Sequence, residues 1–305
     1  MKKYMKRFTV FTPTYNRGYL LENVYRSLQR QTFKDFEWVV VDDGSTDNTL
    51  DMLKEWSAEE NFFPIVYCAV ENGGKHRAIN KAVSMARGEL FFIVDSDDYL
   101  TKTALETADR VEKSIDQNQK SQFCGICGQK GYADGRAVGT IFPGEEYLDI
   151  THIERDVYKL DGDKAEIFYT DAMKKYPFPE IDGEKFLIES IVWERMAHDG
   201  YRIRYFNDII YICEYLPDGL TKKSAEILTK NPKGYALSIC QRIDFGIIAG
   251  IGKWNARWRY HRQLKDVLST REIAWNLKLR PITLVCGLLC LRVYSRFCSF
   301  LRDGG

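Results

Sequence analysis

Several features that would assign the chain to a special class of protein are missing from its sequence. No apolar run reaches the roughly 18 residues that a membrane-spanning helix needs. The basic N-terminus leads directly into an apolar strand, without the apolar core or cleavage site of a secretory signal. The chain also has no excess of charge of one sign: 44 Lys and Arg face 43 Asp and Glu. The net charge of +1 argues against a nucleic-acid partner for the chain as a whole.

Paired cysteines are scarce as well. The eight cysteines are scattered, and a chain without an export signal is expected to keep them as thiols. Cys124 and Cys127 form one C-x-x-C pair, but no second pair follows at the spacing of a zinc ribbon. We therefore predict two buried thiols in or beside a strand rather than a structural zinc site.

The composition, 45% hydrophobic and 29% charged, suits one large globular domain or one domain with an appendage. The first hundred residues alternate apolar strands with amphipathic helices joined by short links. Strands are predicted at Phe8–Thr12, Phe36–Val41, Ile65–Val70 and Leu90–Val94, and helices at Tyr19–Gln31, Thr49–Trp56 and His76–Ala86. This alternation predicts an α/β fold with a doubly wound, mostly parallel sheet.

Polar clusters follow three of the predicted strands: Thr12–Arg17, Asp42–Asp47 and Asp95–Asp98. In doubly wound sheets, ligands bind beyond the carboxyl ends of the strands, where all three clusters fall. The third cluster, in FFIVDSDD, crowds three carboxylates onto one strand end. Such carboxylates repel each other unless the chain turns into water or a cation lies between them. A solvated loop with helix-capping aspartates is the alternative.

Two stretches carry a family resemblance: TPTYNRGYLLENVYRSLQRQTFKDFEWVVVDDGSTDNT and ENGGKHRAINKAVSMARGELFFIVDSDD. They closely resemble the nucleotide-sugar domain of glycosyltransferase family 2, which has the GT-A fold. The resemblance covers roughly residues 6–215. It implies transfer of a sugar from a nucleoside-diphosphate donor to an acceptor hydroxyl, with inversion at the anomeric carbon and usually with Mn²⁺ or Mg²⁺.

The resemblance also implies roles for individual residues. Asp43 would meet the nucleobase edge, Pro13 and Tyr15 would lie along the nucleoside, Asp95 and Ser96 would approach the ribose or donor sugar, and Asp97 would ligate the metal. Because carboxylates repel a diphosphate unless a divalent ion intervenes, the physics favours a cation site over loop solvation. Lys75, after the flexible Gly73-Gly74, would add positive charge near the phosphates, or would simply begin a solvated helix.

The acceptor side is expected in the middle of the chain. Phe123–Gly139 predicts two strands joined at Asp134-Gly135, and Arg202–Ile212 predicts a further strand. Family members commonly carry the catalytic base in a Glu-Asp pair, which FPEIDGEKFLIESIVWE lacks. Counting back from Gly200-Tyr201, the family spacing places the base at Glu189, with Glu184 as the competitor. Either glutamate is otherwise an ordinary residue of a first helical turn. Glu214, Tyr215 and Asp218 in CEYLPDGLT are expected in a solvated turn, although similar segments close the active site in relatives.

Beyond about residue 225 the family motifs stop and the composition shifts. Between Lys253 and Arg302 there are eleven basic residues and only two acidic ones, Asp266 and Glu272, with three tryptophans interleaved. Pro281–Leu291 is apolar but too short to span a bilayer. We expect either a helical segment lying on an anionic inner leaflet or a packed helical appendage with solvated arginines. The predicted domains are thus residues 1–225, with a nucleotide-sugar half to about residue 100, and a helical, basic extension over residues 226–305.

Two classes of function follow. The first is a metal-dependent inverting glycosyltransferase that extends a surface polysaccharide or a lipid-linked glycan at the cytoplasmic face of the membrane. The resemblance implies a UDP-sugar donor, because base recognition by the residue at Asp43 suits uracil best among relatives. The second is a catalytically silent homologue that binds nucleotide sugar or serves as a subunit of a complex. A nucleotidyltransferase would need a glycine-rich, basic loop after the first strand, where this chain has TPTYNRGY. Nothing in the sequence excludes an oligomer.

Overall fold

The computed structural model describes residues 4–213 and 224–303. The chain divides into two compact units: a larger unit of Met1–Glu180 with Val192–Pro217, and a smaller unit of Ile181–Ile191 with Asp218–Gly305. The smaller unit therefore includes an eleven-residue segment from the middle of the chain. The predicted division at residue 225 assigns this segment to the first domain instead. Glu214, Tyr215 and Asp218 lie outside the described residues.

The larger unit is built on one mixed sheet. Its strands in the described residues are β1 (Lys6–Thr14), β2 (Phe36–Asp42), β3 (Ile65–Ala69), β4 (Gly88–Ile93), β5 (Tyr99–Leu100), β6 (Phe123–Gly131), β7 (Leu148–Ile150), β8 (Lys164–Tyr169) and β9 (Arg202–Ile212). The strand order is β3-β2-β1-β4-β8-β6-β9-β5, with β7 also paired to β9. The part of the sheet formed by the four strands β1 to β4 is parallel, as predicted. The pairings of β4 and β6 with β8, and of β5 and β7 with β9, are antiparallel, so the whole sheet is mixed.

Helices complete both units. The larger unit has α1 (Gly18–Gln29), α2 (Thr49–Ala58), α3 (Lys75–Met85), α4 (Ala104–Lys113) and α5 (Thr170–Lys175). Helix α6 (Ser190–His198) begins in the smaller unit and continues in the larger one. The smaller unit has α7 (Ser224–Lys230), α8 (Pro232–Asp244), α9 (Gly252–Leu264), α10 (Thr270–Asn276) and α11 (Pro281–Asp303). None of these described helices combines the length and apolar character that crossing a bilayer requires.

The central strands are apolar on both faces because helices cover both. Phe8 and Val10 of β1 belong to one buried cluster with Leu21 of α1, whereas Phe11 stacks on Phe91 with ring centroids 5.5 Å apart. The chain runs from β1 through β2 to β3 in one direction and then returns to β4 on the other side of β1. Right-handed crossovers therefore place α3 on the face opposite α1 and α2. This reversal of strand order creates a crevice at the carboxyl ends of β1 and β4, the usual ligand site of such sheets.

The predicted strands and helices of the first hundred residues are all present, with ends within about two residues of expectation. The predicted hairpin over Phe123–Gly139 is wrong in its second half. Asp134-Gly135 does form a turn, with Gly135 at φ 86°. The returning chain makes only an isolated bridge, Gly131 to Ala137, because β6 already pairs with β8 on one side and β9 on the other. Because β8 occupies β6 as far as Gln129, only the last residues of β6 meet the returning chain: Val138 N donates to Lys130 O at 2.9 Å.

Candidate active site

The loops after β1 and β2 are tied together at the carboxyl edge of the sheet. Asp43 N donates to Thr14 O at 2.8 Å, and Asn16 N donates to Ser45 Oγ at 2.8 Å. Asn16 adopts a left-handed φ of 52°, which asparagine tolerates better than most residues, and its Oδ1 accepts from Thr46 N at 2.7 Å. The two polar clusters that the sequence places at strand ends are therefore one structural group.

The three carboxylates after β4 are each held by a defined partner. Asp95 pairs with Lys75 at 2.5 Å, and Asp97 pairs with Arg17 at 2.6 Å. Tyr211 of β9 links Asp95 and Asp98: its hydroxyl accepts from Asp95 N at 2.9 Å and donates to Asp98 Oδ2 at 2.7 Å. The repulsion expected within the acidic cluster is therefore reduced by side-chain cations as well as by hydrogen bonds.

The environment changes the acidity of two of these groups. Burial acts to raise the pKa of Asp95, but the Lys75 ammonium, followed by Lys130, holds the pKa below its ordinary value. Burial and the neighbouring Asp95 carboxylate raise the pKa of Asp98 to about 7. Lys130 lies with its Nζ 4.3 Å from the centre of the Tyr211 ring. Burial opposes the charge of Lys130, but Asp95 and Asp98 keep its pKa raised. The strand end is thus a preformed group of alternating charges.

The residues present fit a divalent cation that is shared with a phosphate ligand. In the part of the chain that the structure describes, no three histidine, cysteine or carboxylate side chains form a ready-made metal site. Mg²⁺ and similar hard ions are commonly held by one or two carboxylates plus substrate phosphates and water. Asp97, supported by Asp95, supplies that donor set at the crevice between β1 and β4. The chemistry of the carboxylates is therefore suited to Mn²⁺ or Mg²⁺ with a diphosphate.

Asp43 is buried and organises the start of α3. Its two carboxylate oxygens accept from Gly73 N at 2.7 Å and Gly74 N at 2.8 Å, and Asn72 Nδ2 donates to the same side chain at 3.2 Å. The left-handed φ of Gly74, 93°, allows the backbone to present these N–H groups. Asp43 thus connects the end of β2 to the helix that carries Lys75. Its predicted contact with a nucleobase stays a prediction.

The other predicted donor-binding residues lie in the same part of the larger unit. Pro13 pairs in register with Val41 near the end of β1, and Tyr15, in the following loop, is about half exposed. Ser96 is buried between Asp95 and Asp97. The structure therefore brings Pro13, Tyr15, Asp43, Lys75, Asp95, Ser96 and Asp97 to one edge of one unit.

The two candidate bases belong to the smaller unit and differ in environment. Glu184 is buried, and its oxygens accept from Lys233 N and Gly234 N, each at 2.7 Å, at the first turn of α8. Glu189 is partly exposed and directly precedes α6. Glu184 thus has a structural task at a helix N-terminus, whereas Glu189 is more accessible. Which of them accepts a proton stays a prediction.

Arg17, Lys130 and Tyr211 complete the carboxylate group, and the sequence assigns none of them to it. Arg17 follows β1 in a recognisable polar cluster, so its position at this edge could have been inferred. Lys130 and Tyr211 are register partners on β6 and β9. They enter the site through long-range pairing of strands, for which no local pattern exists. The predicted thiols Cys124 and Cys127 are buried in β6, and burial raises the pKa of Cys124 to about 12, which disfavours the thiolate that zinc binds.

Comparison with known proteins identifies the family. Residues 9–180 match the sequence profile of glycosyl transferase family 2, and the chain belongs to that family. The predicted family resemblance is therefore confirmed.

Curated relatives include other bacterial glycosyltransferases. The chain is 38% identical over 181 residues to poly(ribitol-phosphate) beta-N-acetylglucosaminyltransferase TarS of Staphylococcus aureus, a match that covers 58% of this chain and only 30% of TarS. It is 25% identical over 278 residues to glycosyltransferase GlyG of Streptococcus pneumoniae, covering 87% of this chain and 88% of GlyG.

Solved structures confirm the GT-A fold. S. aureus TarS 1-349 in complex with UDP-GlcNAc superposes with a TM-score of 0.60 and 19% identity over 95% of this chain and 91% of that one. Mannosyltransferase PcManGT from Pyrobaculum calidifontis, in complex with GDP-Man and Mn²⁺, gives a TM-score of 0.55 and 19% identity over 99% and 80% of the two chains. At these identities the likeness concerns the fold.

Proposed function

We propose that the protein is an inverting glycosyltransferase that moves a sugar from a nucleoside diphosphate to a hydroxyl of a glycan. The observation that carries the proposal is the group formed by Asp95, Asp97, Lys75 and Arg17 at the crevice where strand order reverses. Carboxylates suited to a divalent ion and cations suited to phosphate oxygens lie there within ion-pair distance of each other. Membership of glycosyl transferase family 2 supports the same reaction.

The donor is proposed to be a UDP-sugar and the acceptor a surface polysaccharide or lipid-linked glycan. TarS structures contain UDP or UDP-GlcNAc, which supports a uridine donor. Relatives include a teichuronic acid biosynthesis glycosyltransferase of Bacillus subtilis and a glucosyltransferase of Campylobacter jejuni named for an undecaprenol-linked acceptor. The acceptor would then be presented at the inner face of the cell membrane, so we also propose peripheral association there.

The residues of the larger unit would hold the donor. Asp97, with Asp95, would hold Mn²⁺ or Mg²⁺, and the charge on the departing diphosphate is offset by this ion when it is bound. Lys75 and Arg17 pair with the two carboxylates in the structure, and both cations would be close enough to meet the phosphate oxygens of the donor. Asp43 would reach the nucleobase by exchanging part of its hydrogen bonding with the Asn72–Gly74 turn.

Glu189 is proposed as the general base. A carboxylate that accepts the proton of the acceptor hydroxyl must be accessible, and general-base catalysis contributes about two or more decades of rate. Glu184 meets this requirement less well because both of its oxygens already accept backbone N–H groups of α8. Direct displacement with inversion needs no covalent sugar–enzyme intermediate.

Calorimetry of UDP binding tests the metal site. Native protein and Asp97→Ala are titrated with UDP in the presence and absence of Mn²⁺, with Asp51→Ala, an exposed aspartate of α2, as the matched control. We expect Mn²⁺ to strengthen UDP binding to native protein and to Asp51→Ala, and to have little effect on Asp97→Ala. Equal affinity under all conditions would rule out the metal assignment.

A panel of nucleotide sugars with Mn²⁺ tests the reaction and separates it from the silent-homologue alternative, which the missing Glu-Asp pair keeps open. Hydrolysis or transfer from one donor, lost in Glu189→Gln while UDP affinity is kept, supports the enzyme. UDP binding that depends on Asp97 without turnover of any donor supports a nucleotide-sugar-binding subunit instead.

A further inference from the structure

Over residues 281–294, whose side chains the structure describes, helix α11 has two apolar faces, of which one is covered. Leu284, Leu288 and Leu291 are at most 8% exposed, and the first two belong to the apolar core of the smaller unit. On the other side, Ile282, Val285, Leu289 and Val293 are 67%, 41%, 53% and 69% exposed. Their spacing of three, four and four residues places them along one side of the helix. We call these four residues the α11 stripe.

A stripe of this kind needs a partner. Single exposed apolar side chains are common on soluble proteins, but a contiguous row along a helix marks an interaction surface. Helical folding of α11 requires only the covered face, so the packing of the smaller unit does not explain the stripe.

The chain on either side of the α11 stripe is basic and includes an exposed tryptophan. Lys278, Arg280 and Arg292 are exposed, and residues 273–294 include no acidic residue. Trp275, at the end of α10, is 75% exposed. Tryptophan prefers the boundary between lipid headgroups and acyl chains, and each basic residue near an anionic membrane contributes roughly 1 kcal/mol of attraction.

A second copy of the chain would fit this surface less well. Two α11 stripes packed antiparallel would bring Arg280 of one copy near Arg292 of the other. Like charges at that distance repel, whereas an anionic bilayer is complementary to both arginines. The charge pattern therefore favours lipid over self-association.

We propose that the α11 stripe is the surface by which the protein binds an anionic phospholipid bilayer, with α11 lying in the plane of the interface. The stripe would be buried among the headgroups and upper acyl chains, with Arg280 and Arg292 at the phosphates. This inference rests on the proposed function in one respect only: docking would bring the active site to a lipid-linked acceptor. The docking itself is measurable without any substrate.

Co-sedimentation of the full-length protein with vesicles tests the proposal. The vesicles contain either phosphatidylglycerol with phosphatidylcholine or phosphatidylcholine alone, at low and high salt. The variant is Leu289→Lys, which adds a positive charge and so retains electrostatic attraction while disrupting the stripe. The matched control is Thr283→Lys, which adds the same charge to an exposed position of α11 outside the stripe.

We expect native protein and Thr283→Lys to bind the anionic vesicles, and Leu289→Lys to bind about tenfold or more weakly, as the loss of one buried leucine implies. Salt should weaken the binding of all three proteins. Native protein that stays in solution with anionic vesicles at low salt, or Leu289→Lys that binds as well as Thr283→Lys, would overturn the proposal. A native dimer that Leu289→Lys converts to a monomer, with unchanged vesicle binding, would overturn it in favour of an interface between copies.

Nucleotide-sugar hydrolysis without vesicles is measured on the same samples. Both lysine variants are expected to hydrolyse the donor as native protein does, because the stripe lies on the surface of the smaller unit. Vesicle binding without hydrolysis would contradict the proposed function but support docking, and the reverse result would contradict docking alone.

Discussion

Glu184 carries its charge at the N-terminus of α8, where two otherwise unsatisfied backbone N–H groups point at it. Replacing a buried acceptor leaves both donors without a partner and removes a favourable interaction with the helix dipole. We predict that Glu184→Ala lowers the free energy of unfolding by about 1–3 kcal/mol, measured by urea denaturation.

Glu226 provides the comparison for this effect. It lies in the same unit and makes an exposed ion pair with Lys230, so Glu226→Ala should cost no more than about 0.5 kcal/mol. A Glu184→Ala protein as stable as native protein but unable to transfer sugar would contradict the structural role and make Glu184 the base.

His76 is a second residue whose burial has a measurable consequence. It is 3% exposed at the start of α3, and its Nδ1 has no hydrogen-bond partner among the described residues. Burial, followed by the Arg77 charge, lowers the pKa of His76 to about 4. The unfolded chain, with a pKa of about 6.5, takes up the proton first as pH falls.

The stability that neutral His76 provides is therefore present above pH 6.5 and is lost as pH falls towards 4. We predict a loss of about 2 kcal/mol across this range, after allowance for solvent screening. His76→Gln should flatten this part of the pH profile of unfolding, whereas His198→Gln, at an exposed position, should not. A native profile unchanged by His76→Gln would contradict the assignment.

At the scale of elements, the close packing of β6 against β8 requires a glycine at position 125. A Cβ on Gly125 would lie 2.1 Å from Ile167 O on the neighbouring β8. This atom belongs to the backbone and cannot rotate away, so the two strands would have to separate. We predict that Gly125→Ala lowers the free energy of unfolding by about 3 kcal/mol.

Substitution of Gly135 is the control that distinguishes steric crowding from backbone strain. It has a left-handed φ of 86°, but no atom lies within 4 Å of an added Cβ. Gly135→Ala should therefore cost only the roughly 1–2 kcal/mol of an L-residue in that conformation. If Gly125→Ala costs no more than Gly135→Ala, the close approach of β6 and β8 is not a constraint on the sheet.

How much of the fold can be predicted from the sequence depends on how far apart along the chain the interacting residues lie. The elements from β1 to β4 follow from local periodicity, and their carboxyl ends locate Asp43, Asp95 and Asp97 on one edge. The mixed half of the sheet does not follow, because the pairing of β6 with β8 and β9 joins residues about 40–80 positions apart. The sequence therefore does not assign Lys130 and Tyr211 to the site, and the incorrect prediction of a hairpin after β6 has the same origin.

At the scale of the whole molecule, the predicted chemistry is divided between the two units. The proposed donor site lies in the larger unit, whereas Glu189 lies in Ile181–Ile191, which belongs with the C-terminal helices. Asn231 holds this segment against the C-terminal helices through hydrogen bonds. Its Oδ1 accepts from Lys185 N at 2.8 Å and Phe186 N at 3.0 Å, and its Nδ2 donates to Ile227 O at 2.7 Å. The C-terminal helices therefore position the proposed base, in addition to any role at a membrane.

This division predicts that Asn231→Ala separates binding from transfer. Freeing the backbone of Lys185 and Phe186 would displace the segment that carries Glu189, and misplacement of a catalytic group by about 1 Å can cost about 100-fold in rate. We expect kcat to fall by about tenfold or more while calorimetric affinity for UDP with Mn²⁺ stays within about twofold. Asn255→Ala, at an exposed position of α9, should change neither quantity. Equal losses of UDP affinity and kcat in Asn231→Ala would show that the segment supports the donor site as well, and the proposed division of labour between the units would be wrong.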